Sequence, residues 1–107
     1  MRASIIEFAT KGLYLRRRRQ RFTLSYGEIL TAERLSSGRG VRLHTVTSVP
    51  VVVPCRGSAR LATENELRRR GVRVVDEWGA IIAPTLSDFE AELARDPVRV
   101  RQSSDDA

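Results

Sequence analysis

Across 107 residues the chain offers one cysteine, Cys55, one histidine, His44, and one lysine, Lys11. A lone cysteine forms no internal disulfide, which agrees with a reducing compartment. His44 falls inside an alternating, β-branched stretch and has no metal or nucleophile partner recognisable from spacing. No apolar run approaches the roughly 18 residues of a membrane-spanning helix, and the densest, VPVVVPC at 49 to 55, is strand-sized. The opening MRASIIEFATKG carries an acid inside an apolar segment too short for a signal peptide. The expectation is a cytoplasmic protein. Neither Walker nor dinucleotide glycine spacing occurs, because GRG at 38 to 40 lacks a companion glycine and a strand-to-helix context. The acid pairs Asp76-Glu77 and Asp105-Asp106 fall in a turn and a tail, where solvated charge is the default. These absences point to a non-enzyme with no cofactor and no metal.

What is present describes a folded chain of one domain. Apolar residues make up 41% and charged residues 30%, too rich in apolar side chains for a disordered sequence. The net charge of +6 comes from 18 arginines and Lys11. A guanidinium fork grips phosphate bidentately, but an arginine-rich composition also follows from GC-rich codon usage, so position along the chain says more than the total.

Residues 3 to 9 are rich in β-formers, and Lys11-Gly12 can turn the chain. Leu13 and Leu15 then alternate with Tyr14 and Arg16, while Phe22, Leu24 and Tyr26 alternate with Thr23 and Ser25. Period two on both sides of a polar block predicts a hairpin with one buried face and arginines at its tip. Residues 28 to 35 read equally as a helix capped by Ser25 and Glu28 or as a strand with a bulge at Gly27. Strands are expected over 41 to 47 and 50 to 54. Thr63 and Glu66 form a capping-box pattern that predicts a short, exposed helix over 63 to 70, closed by Gly71. Residues 72 to 76 and 79 to 84 read as a second hairpin around Asp-Glu-Trp-Gly. Thr85 or Ser87 caps a final helix with Leu86, Phe89 and Leu93 on its apolar stripe, stopped by Asp96-Pro97. Residues 98 to 107 read as a flexible tail.

Several strands, a short helix, a hairpin and an amphipathic C-terminal helix over residues 3 to 95 resemble the bacterial pleckstrin-homology-like domains. The stretches carrying the resemblance are GLYLRRRR (12 to 19), FTLSYGEILTAE (22 to 33) and AIIAPTLSDFEAEL (80 to 93). The resemblance implies a mainly β, antiparallel open barrel or sandwich of about seven strands spanning 1 to 97. The C-terminal helix would seal its mouth, the helix at 63 to 70 would be an insertion, and residues 28 to 35 would be a strand. The only tryptophan, Trp78, sits in the expected turn rather than in the final helix where lipid-binding members carry one.

The candidate site is an anion-binding set of Lys11, Arg16, Arg17, Arg18, Arg19 and Arg21. Lys11 followed by Arg16 and Arg18 resembles the basic pattern of some phosphoinositide-binding members of that family. The expected partner is an anionic lipid surface, met peripherally at the membrane, or an acidic protein. The alternative is nucleic acid, with Arg68, Arg69 and Arg70 as a second patch if the fold brings it to the same face. A third reading is a homo-oligomer formed by pairing of exposed sheet edges.

Overall fold

A computed structural model describes residues 1 to 83 of the chain. The expected C-terminal helix and the tail lie outside the described residues. Within them the protein is mostly β, with two sheets and one α-helix.

Three strands, β1 (Ser4–Phe8), β2 (Gly12–Arg17) and β3 (Gln20–Ser25), form an antiparallel meander in the order β1-β2-β3. The period-two pattern acts as expected. Leu13 pairs with Leu24 and Leu15 with Phe22, and these four side chains face the core, whereas Tyr14 opposite Thr23 faces outward. Gly12 permits the close approach of β2 to β3, since a Cβ there would lie 2.6 Å from the Leu24 carbonyl oxygen. Residues 1 to 3 continue beyond β1 and pair in parallel with the second sheet, through Ala3 N–H to the Val52 carbonyl at 3.0 Å.

The second sheet contains β4 (Ile29–Arg34), β5 (Gly40–Thr45), β6 (Val51–Pro54) and β7 (Val74–Val75), in the order β6-β5-β4-β7. Residues 28 to 35 thus resolve as strand. Ser25 makes no side-chain cap, a 3-10 turn occupies Tyr26–Glu28, and the following residues pair along the length of β5. A register shift between Ile29 and Thr31 replaces the bulge expected at Gly27. It turns both Ile29 and Ala32 into the core and leaves Leu30 exposed.

The expected strand directions are corrected. The strands are not all antiparallel, because β7 pairs with β4 in parallel. A helix between β6 and β7 carries the chain back across the sheet, and a crossover of that kind returns a strand in parallel. The two sheets do not close into a barrel, which agrees with the open arrangement expected. They share one core, in which Leu13, Leu15 and Leu24 of the first sheet meet Val41, Leu43 and Val53 of the second. The expected second hairpin is reduced to a bridge between Val75 and Ile81, with Asp76 N–H to Ala80 O at 2.9 Å and Ile82 N–H to Val74 O at 2.9 Å. Asp76 Oδ1 organises its turn by accepting from the Trp78 and Ala80 amides.

The helix, α1 (Gly57–Arg69), begins six residues before Thr63. Ala59 and Arg60 already donate backwards to Arg56 O, and Ala, Arg and Leu at 59 to 61 are strong helix formers. Thr63 therefore sits inside the helix, its hydroxyl donating to Ala59 O at 2.8 Å instead of capping. The C-terminus is as expected. Gly71 adopts φ +85°, its N–H reaches Arg68 O, and Val72 N–H reaches Leu67 O at 2.9 Å, a Schellman closure.

One face of α1 is buried through Leu67 and, unforeseen by the charge pattern, through Glu64, both 0% exposed. Arg34 of β4 donates to Glu64 from Nε (3.0 Å to Oε2) and Nη2 (2.6 Å to Oε1), and Arg60 Nη1 adds a contact at 3.1 Å to Oε2. Breaking a buried ion pair strands the remaining charge, at a cost of about 3 kcal/mol or more, whereas an exposed pair contributes under about 1 kcal/mol. Glu64→Ala should therefore lower the urea-unfolding free energy by about 3 kcal/mol. Glu66→Ala, which removes only the partly exposed ion pairs to Arg69 and Arg70, should lower it by less than about 1 kcal/mol. Equal losses would show that the buried clamp does not pin the helix.

Candidate anion-binding hairpin

The β2–β3 hairpin closes through a two-residue loop, Arg18 and Arg19, with Arg17 opposite Gln20 as its last pair. Arg18 occupies φ +56°. That left-handed conformation costs a non-glycine residue roughly 1–2 kcal/mol, and tight hairpins normally place glycine or asparagine there. Arg16 Nε donates to the Arg18 carbonyl at 2.9 Å, which steadies the loop from outside. One step back, Arg16 and Arg21 face each other across the ladder on the outward side. Directly opposed like charges destabilise a hairpin. Two local rules of hairpin stability are therefore broken at one tip, both by arginine.

No described acid offsets this charge. Arg2, Arg16, Arg17, Arg18, Arg19 and Arg21 form no ion pair among the described residues. The arginines of the second sheet and helix differ: Arg34 and Arg60 pair with Glu64, Arg42 with Glu33, and Arg69 and Arg70 with Glu66. Residues 1 to 25 hold seven basic side chains and one acid, Glu7, while residues 26 to 107 hold twelve of each. The whole net charge of +6 thus belongs to the segment that builds the first sheet. A running charge count along the chain carries that signal, and the tip arginines alone understate it.

Of the six candidate residues, the hairpin gathers Arg16, Arg17, Arg18, Arg19 and Arg21 and leaves Lys11 apart. Lys11 lies in the β1–β2 turn, where its carbonyl accepts from Tyr26 N–H, at the other end of a six-residue strand and so roughly 20 Å from the tip. Arg2 joins instead. Parallel pairing of residues 1 to 3 with β6 sets it beside Arg16, Arg17 and Arg18 around one cleft. Nothing local in the sequence announces Arg2, since its place depends on that long-range register.

The helix arginines form no extension of this site. Arg68 donates to Asn65 Oδ1 at 2.8 Å and to Ile82 O at 3.0 Å, Arg69 pairs with Glu66, and Arg70 lies 5.6 Å from the centre of the Tyr26 ring. Tyr26 follows the end of β3 remote from the tip, so this patch accompanies Lys11.

His44 Nε2 lies 2.8 Å from Glu33 Oε1, and Arg42 shares the same carboxylate. Burial pushes the Cys55 thiol up from its ordinary value, with Glu64 adding to the shift and Thr63 and Arg60 opposing it, so the nucleophilic thiolate is disfavoured. Among the described residues no group of three or more His, Cys, Asp and Glu side chains is arranged to hold a metal. Also among them, no helix is long and apolar enough to cross a membrane. No family model matches the chain, and neither the curated proteins nor the solved structures provide a significant match.

A tip whose arginine is retained against conformational preference makes a direct prediction. Relief of the left-handed penalty, reduced by the roughly 0.4–1 kcal/mol of extra chain entropy that glycine brings to the unfolded state, leaves Arg18→Gly about 0.5 kcal/mol more stable than the parent. Thermal unfolding at fixed ionic strength measures this. A clear loss of stability would mean that the Arg18 side chain supports the fold.

Proposed function

We propose that the chain is a non-catalytic recognition module that docks on an anionic membrane surface through its arginine hairpin. The observation that carries this reading is the segregation of charge: an arginine tip without an ion pair on one sheet, and five arginines of the second sheet and helix, Arg34, Arg42, Arg60, Arg69 and Arg70, paired with acids. A projecting two-residue loop can reach a planar surface without rearrangement of the core. Each arginine near anionic lipid contributes on the order of 1 kcal/mol at best, so the attachment is reversible and weakens with salt.

Strand number and the leading meander favour the pleckstrin-homology-like reading. The parallel β4–β7 pair and the helix ahead of β7 are departures from it. The docking reading draws on the hairpin and does not require that kinship. Nucleic acid has less support, because an aromatic stacking platform is missing from the tip: Phe22 packs against the core and Tyr14 alone faces outward beside Arg16.

Flotation with vesicles containing about a third phosphatidylserine, compared with neutral phosphatidylcholine vesicles, tests the reading. The parent should float with the anionic vesicles at low salt and be released at about 0.5 M salt, where screening shortens to a few Å. The Arg17→Ser, Arg18→Ser, Arg19→Ser triple variant should stay folded and lose most of the binding. Equal recovery with both vesicle types, or an unaffected triple variant, would overturn it.

A further inference from the structure

Beside its projecting loop, with which it shares Arg18, the hairpin has a concave aspect. Residues 1 to 3 leave the first sheet to pair with β6, and a cleft of about 400 Å³ opens between them and the end of β2. Arg2, Arg16, Arg17 and Arg18 line it together with Ser4, whose strand partner is Arg16. No acidic residue lines it. The Arg16 guanidinium is already restrained by its Nε bond to the Arg18 carbonyl, so little of its freedom remains to be lost when its outer nitrogens take a ligand.

Four arginines line one hollow and their like charges repel one another, and only a compact ligand of high negative charge engages them together. A flat array of lipid phosphodiesters meets the loop but does not enter a cleft. Carboxylates and phosphodiesters carry one charge each and satisfy one fork. We propose that this cleft is a binding site for a small soluble oligophosphate of pyrophosphate size, held by Arg2, Arg16, Arg17 and Arg18 with the Ser4 hydroxyl as an additional donor. The inference rests on the anion-recognition reading of the hairpin and names a ligand for its concave side. A fork of charge-assisted hydrogen bonds fixes the pyrophosphate oxygens, and neutralising the four cations stabilises the fold by linkage.

Isothermal titration with pyrophosphate, with sulfate at matched ionic strength as control, tests the site in the full chain. The expected result is saturable one-to-one binding of pyrophosphate with a raised melting temperature, and at least tenfold weaker sulfate binding. Arg2→Ala should weaken pyrophosphate binding about tenfold or more, the loss expected for one charge-assisted contact. Lys11→Ala removes the same charge at the far end of the hairpin and should change binding by less than twofold. Non-saturable heats, or equal effects of Arg2→Ala and Lys11→Ala, would overturn the site and leave only a diffuse positive field. The vesicle assay separates the two readings. Pyrophosphate binding without flotation would retain the cleft and remove membrane docking, and flotation without pyrophosphate binding would do the reverse.

Discussion

Glu64 is the one fully buried charged side chain among the described residues, and the Arg34 guanidinium that reaches it from β4 ties α1 to the second sheet, while Arg60 closes on it from within the helix. A carboxylate withdrawn from water is tolerable only when its oxygens are engaged, and here Arg34 takes both while Arg60 reinforces one. With the helix held in this way, Leu67 reaches the core and the Schellman turn at Gly71 delivers Val74 and Val75 to the free side of β4. The parallel pair, the only one between named strands, is a consequence of that anchoring.

The clamp also explains where charge accumulates. In the helix and second sheet, arginine works as a structural residue, opposite Glu33, Glu64 or Glu66. The first sheet lacks such acids near its arginines and tolerates a left-handed Arg18 and a facing Arg16–Arg21 pair. Backbone strain and facing like charges are concentrated at one exposed tip, on a hairpin whose Leu13, Leu15, Phe22 and Leu24 otherwise obey their pattern, and such departures at one place motivate the binding proposal. The core beneath the tip is built by Leu13, Leu15, Phe22 and Leu24.

Much of this was readable in the amino-acid order, and the rest failed for identifiable reasons. The alternation of Leu13, Leu15, Phe22 and Leu24 specified the hairpin and its buried face, because a side-chain period of two leaves only one register that buries all four. Gly71 announced the helix end, since few other residues accept its φ. The helix start was misread because Thr63 and Glu66 imitate a capping box, while the real start at Gly57 follows Arg56, which makes no side-chain cap. Burial of Glu64 was invisible because its partner Arg34 lies thirty residues away, and a charged residue ordinarily signals solvent. Lys11 lies away from the arginine tip and Arg2 beside it for a similar reason. Proximity in sequence favoured Lys11, and strand direction together with long-range pairing favoured Arg2.

The central claim is that anion affinity is localised at one end of the first sheet instead of being spread over an arginine-rich surface. Residue-resolved amide NMR during titration with a short sulfated oligosaccharide tests it most directly. Shifts confined to Arg2 and residues 16 to 21 are expected, with Lys11 and Arg68, Arg69 and Arg70 unmoved. Shifts centred on the helix arginines, or of equal size across the basic residues, would contradict it.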